Sequence, residues 1–144
     1  MKYFTRYSLI LVGVFAGQAG YTQVTGISNT AYGGFALLNV TSGSYNTALG
    51  QSALAGDTTG SNNTATGNNA LAYPQTANGN TATGSNALAF DDTGNNNVAT
   101  GNFALQFNIL GNNNTATGAG TLVNNYAAKA NCAGAFASFG ARCR

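Results

Sequence analysis

The amino-acid sequence predicts an all-β fold, a parallel β-solenoid (a β-roll or β-helix) of six 17-residue coils plus a degenerate seventh capping coil. First, a short sequence phrase that opens with Asn recurs every 17 residues without an insertion, which indicates stacked structural units. Second, every unit is rich in Gly, Asn and β-branched Thr, which oppose a helix and favour short strands between turns. Third, only 6% of the residues are charged, against about 25% in ordinary globular proteins, which is typical of a repetitive extracellular scaffold. The repeated asparagine that opens each unit stands at Asn29, Asn46, Asn63, Asn80, Asn97 and Asn114.

Residues 1–19 are predicted to be a signal peptide or a hydrophobic N-terminal segment, followed by a lead-in at 20–28. Lys2 and Arg6 precede an apolar run over residues 8–16, and small residues near position 19 suit cleavage. The run is shorter than the roughly 20 residues that cross a bilayer. We therefore predict a secreted protein, extracellular or at a cell surface, with no membrane span in the mature chain.

Residues 29–130 are predicted to form the solenoid repeats, each with two short strands and two turns. Equivalent residues of successive units then stack about 4.7–4.9 Å apart. Alternation along the first strand turns the Asn, the Ala two residues later and the Gly four residues later inward, so the asparagines should form a hydrogen-bonded ladder or turn. The leucine eight residues after each Asn completes the core. Tyr73, Phe90 and Phe107 are expected beside it as core aromatics, with a binding strip as the alternative.

Residues 131–144 are predicted to be a C-terminal cap. Asn131 keeps the period, but the residues after it depart from the repeat. An atypical last unit covers the open end of a solenoid, and a disordered tail is the alternative. Cys132 and Cys143 are the only cysteines, and in an exported protein we expect them to form a disulfide, with free or intermolecular thiols as the alternative.

The residues one and three positions after each repeated Asn are predicted to face outward as a two-column ladder. The columns are roughly 6.5–7 Å apart along the strand. This uncharged Thr-x-Thr lattice resembles the ice-binding face of β-solenoid antifreeze proteins, although Thr also simply suits an exposed strand. The threonines of the surface ladder are Thr30, Thr47, Thr64, Thr66, Thr81, Thr83, Thr100, Thr115 and Thr117.

The repeat phrase Asn-Thr-Ala-x-Gly-x-x-Ala-Leu, preceded by Thr-Gly-x-Asn as at residues 59–62, resembles the head repeats of trimeric autotransporter adhesins (YadA-like heads) and the related repeats of phage tail fibres. The likeness covers roughly residues 25–139. It implies a left-handed parallel β-roll, trimers wound about a common axis, and adhesion to host matrix or to other cells. In such heads the two outward positions usually hold Val and Ile that face the trimer contact, whereas here they are mostly Thr.

The composition argues against catalysis and against several ligands. The chain has no His, Trp or Glu, so general acid–base catalysis, a zinc site and a His-activated nucleophile lack their residues, and we expect no enzyme activity, metal or cofactor. Asp57 with Asp91 and Asp92 could make only a weak calcium site, and solvated turn residues are the default. No Lys or Arg occurs between Gly20 and Ala128, so nucleic acid is not an expected partner.

These observations predict an extracellular structural or adhesive β-solenoid that self-associates into a homotrimer or a homopolymeric fibre, with host matrix or a cell surface as a further partner. Without residues 1–19 the chain carries three cations and three anions, and a net charge near zero promotes association. The alternative is a secreted ice-binding protein that presents the threonine ladder to an ice surface.

Overall fold

The computed structural model describes residues 26–56, 59–74, 76–91, 93–127, 129–134 and 141–142, and within them the chain is a β-solenoid without helix. One sheet holds eight strands in sequence order; the first seven pair in parallel and the last is antiparallel. The predicted fold class is therefore confirmed. The strands are β1 (Thr30–Tyr32), β2 (Thr47–Leu49), β3 (Thr64–Thr66), β4 (Thr81–Thr83), β5 (Val98–Thr100), β6 (Thr115–Thr117), β7 (Asn131–Ala133) and β8 (Ala141–Arg142).

Each strand is the short extended segment between a repeated Asn and a repeated Gly. Residues 17 apart are direct partners, as Ala65 is of Ala82 in β3 and β4. The strand ends where the Gly adopts a φ between 117° and 140° in the six coils, a region that is open to glycine alone at no steric cost. At Gly67 an added Cβ would also lie 2.6 Å from the carbonyl oxygen of Gly84. The close approach of successive coils at this row therefore requires glycine.

The core is a narrow column of Ala and Leu between the sheet and the opposite side of each coil. The central Ala of β2–β6 is fully buried, and so is the Leu of the four middle coils. Burial of one Leu side chain contributes about 2 kcal/mol to stability. Small Ala on the sheet side lets the two walls approach, and the Leu fills the remaining space. The predicted leucine core is confirmed: Leu37, Leu54, Leu71, Leu88, Leu105 and Leu122 are all buried.

The side of the coil that carries the leucines differs from the prediction. A second strand was expected there, but the described residues contain one parallel strand per coil and a series of turns. Asn69 and Leu71 have φ of 51° and 47°, in the left-handed region, and alternate left-handed residues prevent an extended chain. Successive coils still bond through the backbone, since the N–H of Leu71 donates to the carbonyl of Ala87 at 2.9 Å.

The aromatic residues that follow the leucines lie outside the core, so their prediction as core aromatics is wrong. Tyr73 is 56% exposed and Phe90 38% exposed. Their rings stack with centroids 4.9 Å apart, and Phe107 continues the column at 5.0 Å from Phe90. Tyr126 adds a fourth ring, 6.4 Å from Phe107. Alternation fails at Tyr73, Phe90 and Phe107 because the left-handed Leu two residues before each of these rings changes the direction of the chain.

The C-terminal end of the solenoid is closed by a reversal of strand direction. β7 continues the parallel series, and β8 pairs with it antiparallel. Cys132 lies in β7 and is disulfide-bonded. Its predicted partner Cys143 lies outside the described residues, as do the predicted signal peptide at 1–19, most of the lead-in, Asp57 and Asp92. Where the chain is described, no helix has the length and apolar character that crossing a membrane requires.

Candidate functional surfaces

The threonines of the predicted surface ladder all lie on the outer face of β1–β6, which we call the threonine face. Thr64 and Thr66 flank the fully buried Ala65, so strand alternation turns both outward. Each of the nine predicted threonines is exposed or half-buried. The structure thus brings all of them onto one surface of one sheet.

The two columns of the threonine face are in register. Thr64 pairs with Thr81 in one column, and Thr66 pairs with Thr83 in the other. Parallel pairing places successive threonines about 4.8 Å apart along a column. The first column holds Thr30, Thr47, Thr64, Thr81, Val98 and Thr115, and the second holds Tyr32, Leu49, Thr66, Thr83, Thr100 and Thr117.

The threonine face is uncharged but not uniform. None of the residues of β1–β6 is Lys, Arg, Asp or Glu. At its N-terminal end Tyr32 is 63% exposed and Leu49 38% exposed, and Val98 interrupts the first column further along. The face therefore offers methyl and hydroxyl groups over most of its length and a small apolar area at one end.

A buried asparagine ladder holds the start of each strand against the next coil. The side-chain oxygen of Asn80 accepts from the backbone N–H of Asn97 at 2.8 Å, and its Nδ2 donates to the carbonyl of Gly94 at 2.8 Å. Asn80 and Asn97 are fully buried. The predicted hydrogen-bonded ladder of repeated asparagines is thereby confirmed, and it fixes the register on which the threonine columns depend.

A second ladder, which was not predicted from the sequence, runs two residues before the first. The backbone N–H of Asn78 donates to the side-chain oxygen of Asn95, which lies in the following coil, and the N–H of Asn95 donates likewise to Asn112, both at 2.9 Å. In this ladder the acceptor lies in the following coil, and in the buried ladder it lies in the preceding one. The signal in the sequence was a row of short polar side chains, Ser44, Ser61, Asn78, Asn95 and Asn112.

A buried polar cluster crosses the last coils. Asp91 is fully buried, which contradicts its expected place as a solvated turn residue, and its Oδ1 accepts from Nδ2 of Asn108 at 3.1 Å. Asn108 also accepts from Asn125 at 2.7 Å. In the described part of the chain no group of three His, Cys, Asp or Glu residues could hold a metal ion. Asp91 is thus part of the buried hydrogen-bond network between successive coils, through its bond with Asn108.

No protein-family model, curated protein or solved structure matches this chain. The resemblance to adhesin heads therefore rests on the repeat phrase, and the parallel β-solenoid is compatible with it.

Proposed function

We propose that the protein is an extracellular, non-catalytic structural solenoid that associates side by side with copies of itself and adheres to host matrix or to a cell surface. The observation that carries this proposal is the threonine face, a regular and uncharged surface that runs in register over six strands. It offers a contact that extends along much of the described solenoid.

The composition of the threonine face suits contact with another protein surface. Tyr32, Leu49 and Val98 expose apolar side chains among the threonines, and apolar groups on a regular surface favour association. Two sheets pack face to face about 10 Å apart, so short threonine side chains from two copies can meet. The absence of charge on β1–β6 means that no like-charge repulsion opposes this contact.

The closed C-terminal end supports lateral association over end-to-end growth. A further coil from a second copy would have to pair in parallel with β7, but β8 occupies that edge of β7 in the antiparallel direction. Lateral contact through the threonine face avoids this obstacle. The trimer that the resemblance to adhesin heads implies is a lateral assembly of this kind.

Sedimentation velocity of the chain purified after export tests the proposal. We expect a multiple of the monomer mass, and we expect Thr83→Lys to dissociate the assembly, because burial of an unpaired ammonium group costs several kcal/mol. The matched control is Thr76→Lys, the same substitution at an exposed position outside the strands, which should leave the assembly intact. A monomer at all concentrations would contradict the proposal.

A second candidate function, ice binding, is favoured by the C-terminal part of the threonine face. In β3–β6 both columns consist of threonine except at Val98. Regularly spaced methyl and hydroxyl groups can order water into an ice-like layer, as the resemblance to β-solenoid antifreeze proteins implies.

Thermal hysteresis distinguishes the second candidate from the first. If the face binds ice, Thr83→Tyr should abolish thermal hysteresis, since a ring at this position projects above the threonines, as Tyr32 does in the same column at 63% exposure. Thr76→Tyr is the control and should retain the hysteresis. Filaments without thermal hysteresis would contradict ice binding.

A further inference from the structure

The column of stacked rings ends at Tyr73, and a pocket lies beside this last ring. Tyr73 stacks on Phe90 with an angle of 11° between the ring planes. The equivalent positions in the two preceding coils hold Gly56 and Asn39. The ring column therefore has a gap one residue wide on the side of Tyr73 away from Phe90, with the Asn39 side chain at its far end.

The gap has the size of a single ring. It forms a pocket of about 240 Å³, lined by Tyr73, Gly56, Asn39, Ser52, Phe35 and Leu38 among others. Pockets that bind drug-sized ligands measure about 300–1,000 Å³, so this pocket suits a smaller group. Tyr73 and Asn39 belong to coils two apart, roughly 9.5 Å along the axis, which leaves room for one ring between them.

The gap results from the close packing of the backbone around Gly56, which leaves no room for a side chain there. A Cβ on Gly56 would lie 2.9 Å from the carbonyl oxygen of Ala72 and 3.0 Å from the Cα of Tyr73. No side chain can therefore enter at residue 56 without a shift of the backbone. Gly56 keeps the adjacent face of the Tyr73 ring open to the pocket.

We propose that this pocket binds one pyranose ring of an uncharged glycan. The face of Tyr73 provides an apolar platform for the C–H groups of the sugar, and the Asn39 amide and the Ser52 hydroxyl can exchange hydrogen bonds with its hydroxyl groups. None of the described lining residues is charged, which favours a neutral sugar over an acidic one. A purely aromatic ligand would bury these polar groups without a partner, at a cost in affinity.

The pocket lies within one chain and away from the threonine face. A glycan bound in this pocket would be a ligand for the adhesion part of the proposed function, on which this proposal rests. Its binding does not require self-association. Sugar binding and sedimentation can be measured on the same variants, so the failure of either one is visible independently of the other.

Nuclear magnetic resonance titration with a panel of methyl pyranosides (gluco, galacto, manno and N-acetylglucosamine forms) tests the proposal. The chain is produced without N-glycosylation, because Asn39 begins an Asn-x-Thr sequon. We expect a saturable shift of the Tyr73 ring signals with at least one pyranoside. Tyr73→Ala should abolish binding, and Asn39→Ala should weaken it about tenfold, as the loss of one good hydrogen bond would.

A matched control and a filling variant separate binding from folding. Tyr126→Ala removes the ring at the other end of the same column, where Tyr126 is 55% exposed against 56% for Tyr73, and it should bind as the parent does. Ser52→Phe should fold and block the pocket, because Phe35 and Phe103 hold this position in their own coils with φ of 60° and 58°.

Three results would overturn the inference. The first is that no pyranoside shifts the Tyr73 signals. The second is that phenol shifts them whereas none of the pyranosides does, which would make the pocket an aromatic site. The third is that pyranoside binding persists in a folded Ser52→Phe variant. The circular dichroism spectrum of each variant verifies that the solenoid is intact.

Discussion

The side-chain oxygen of Asn63 accepts a hydrogen bond of 2.9 Å from the backbone N–H of Asn80, which lies 17 residues later. The same relationship joins the repeated asparagines from Asn29 to Asn131. Because the donor is a backbone group, each of these bonds fixes the start of a strand relative to the preceding coil. The ladder thus supports the registered surface on which both proposed functions depend.

Asn80→Ala should lower the free energy of unfolding by about 3 kcal/mol. The substitution leaves the N–H of Asn97 and the carbonyl of Gly94 without the partners that Asn80 provides, and each unsatisfied buried group costs about 1–3 kcal/mol. Urea unfolding followed by circular dichroism measures the change. Asn102→Ala, at an exposed position, is the control and should change stability by less than about 0.5 kcal/mol. Equal effects of the two substitutions would show that the ladder does not stabilise the fold.

Much of the fold could be predicted because the 17-residue period of the sequence determines which residues pair between strands. Residues 17 apart are identical at several positions, so the register of Thr64 with Thr81 follows from counting. The outward direction of both threonines follows from strand alternation, which holds while the chain is extended. The residues of the threonine face were therefore predictable, but their function was not, since exposed threonine suits several roles.

Gly67→Ala should destabilise the solenoid by about 3 kcal/mol or more. The residue has a φ of 134°, and a Cβ would lie 2.6 Å from the carbonyl oxygen of Gly84, so steric overlap adds to backbone strain of about 1–3 kcal/mol. Gly34→Ala is the matched control, because a Cβ built there has no atom within 4 Å apart from those of residue 34 and its two chain neighbours. The midpoints of thermal unfolding measure both effects. A Gly67→Ala variant as stable as Gly34→Ala would contradict the close approach of the coils.

Asn108→Ala should be among the most destabilising single substitutions, at about 4 kcal/mol. It removes four hydrogen bonds, since Nδ2 donates to Asp91 and to the carbonyl of Gly111 and Oδ1 accepts from Asn114 and Asn125. Loss of a buried hydrogen-bond network is one of the few causes of effects this large.

The control for Asn108→Ala is Asn124→Ala, an exposed position in the coil that follows. It should stay within about 0.5 kcal/mol of the parent. Urea unfolding of the two variants side by side makes the comparison. A loss below about 1 kcal/mol for Asn108→Ala would contradict the cluster.

The opposite side of the coil could not be predicted because leucine gives no signal for a left-handed backbone. Gly and Asn are the usual residues there, yet Leu71 has a φ of 47°. Packing of its side chain in the core imposes this conformation. Because an extended chain was assumed after Leu71, strand alternation wrongly predicted that Tyr73 faces the core. The pocket beside Tyr73 depends on that turn, so it became visible only in the structure.

Leu71→Ile should therefore destabilise the protein by about 2 kcal/mol more than Leu71→Met. Both substitutions nearly conserve the volume of this fully buried side chain, and such exchanges usually cost less than about 1.5 kcal/mol. Ile is β-branched, however, and a β-branched residue at a φ of 47° is strongly disfavoured. Urea unfolding of the two variants measures the difference.

The same pair of substitutions at Leu110 measures the difference between Ile and Met at an exposed leucine without a positive φ. Leu110 is 51% exposed, so Leu110→Ile and Leu110→Met should agree within about 0.5 kcal/mol. If Ile and Met are also equivalent at position 71, the leucine does not adopt the left-handed conformation in solution. In that case the turn that exposes the ring of Tyr73 would lose its physical basis, because Leu71 is the last residue of this turn.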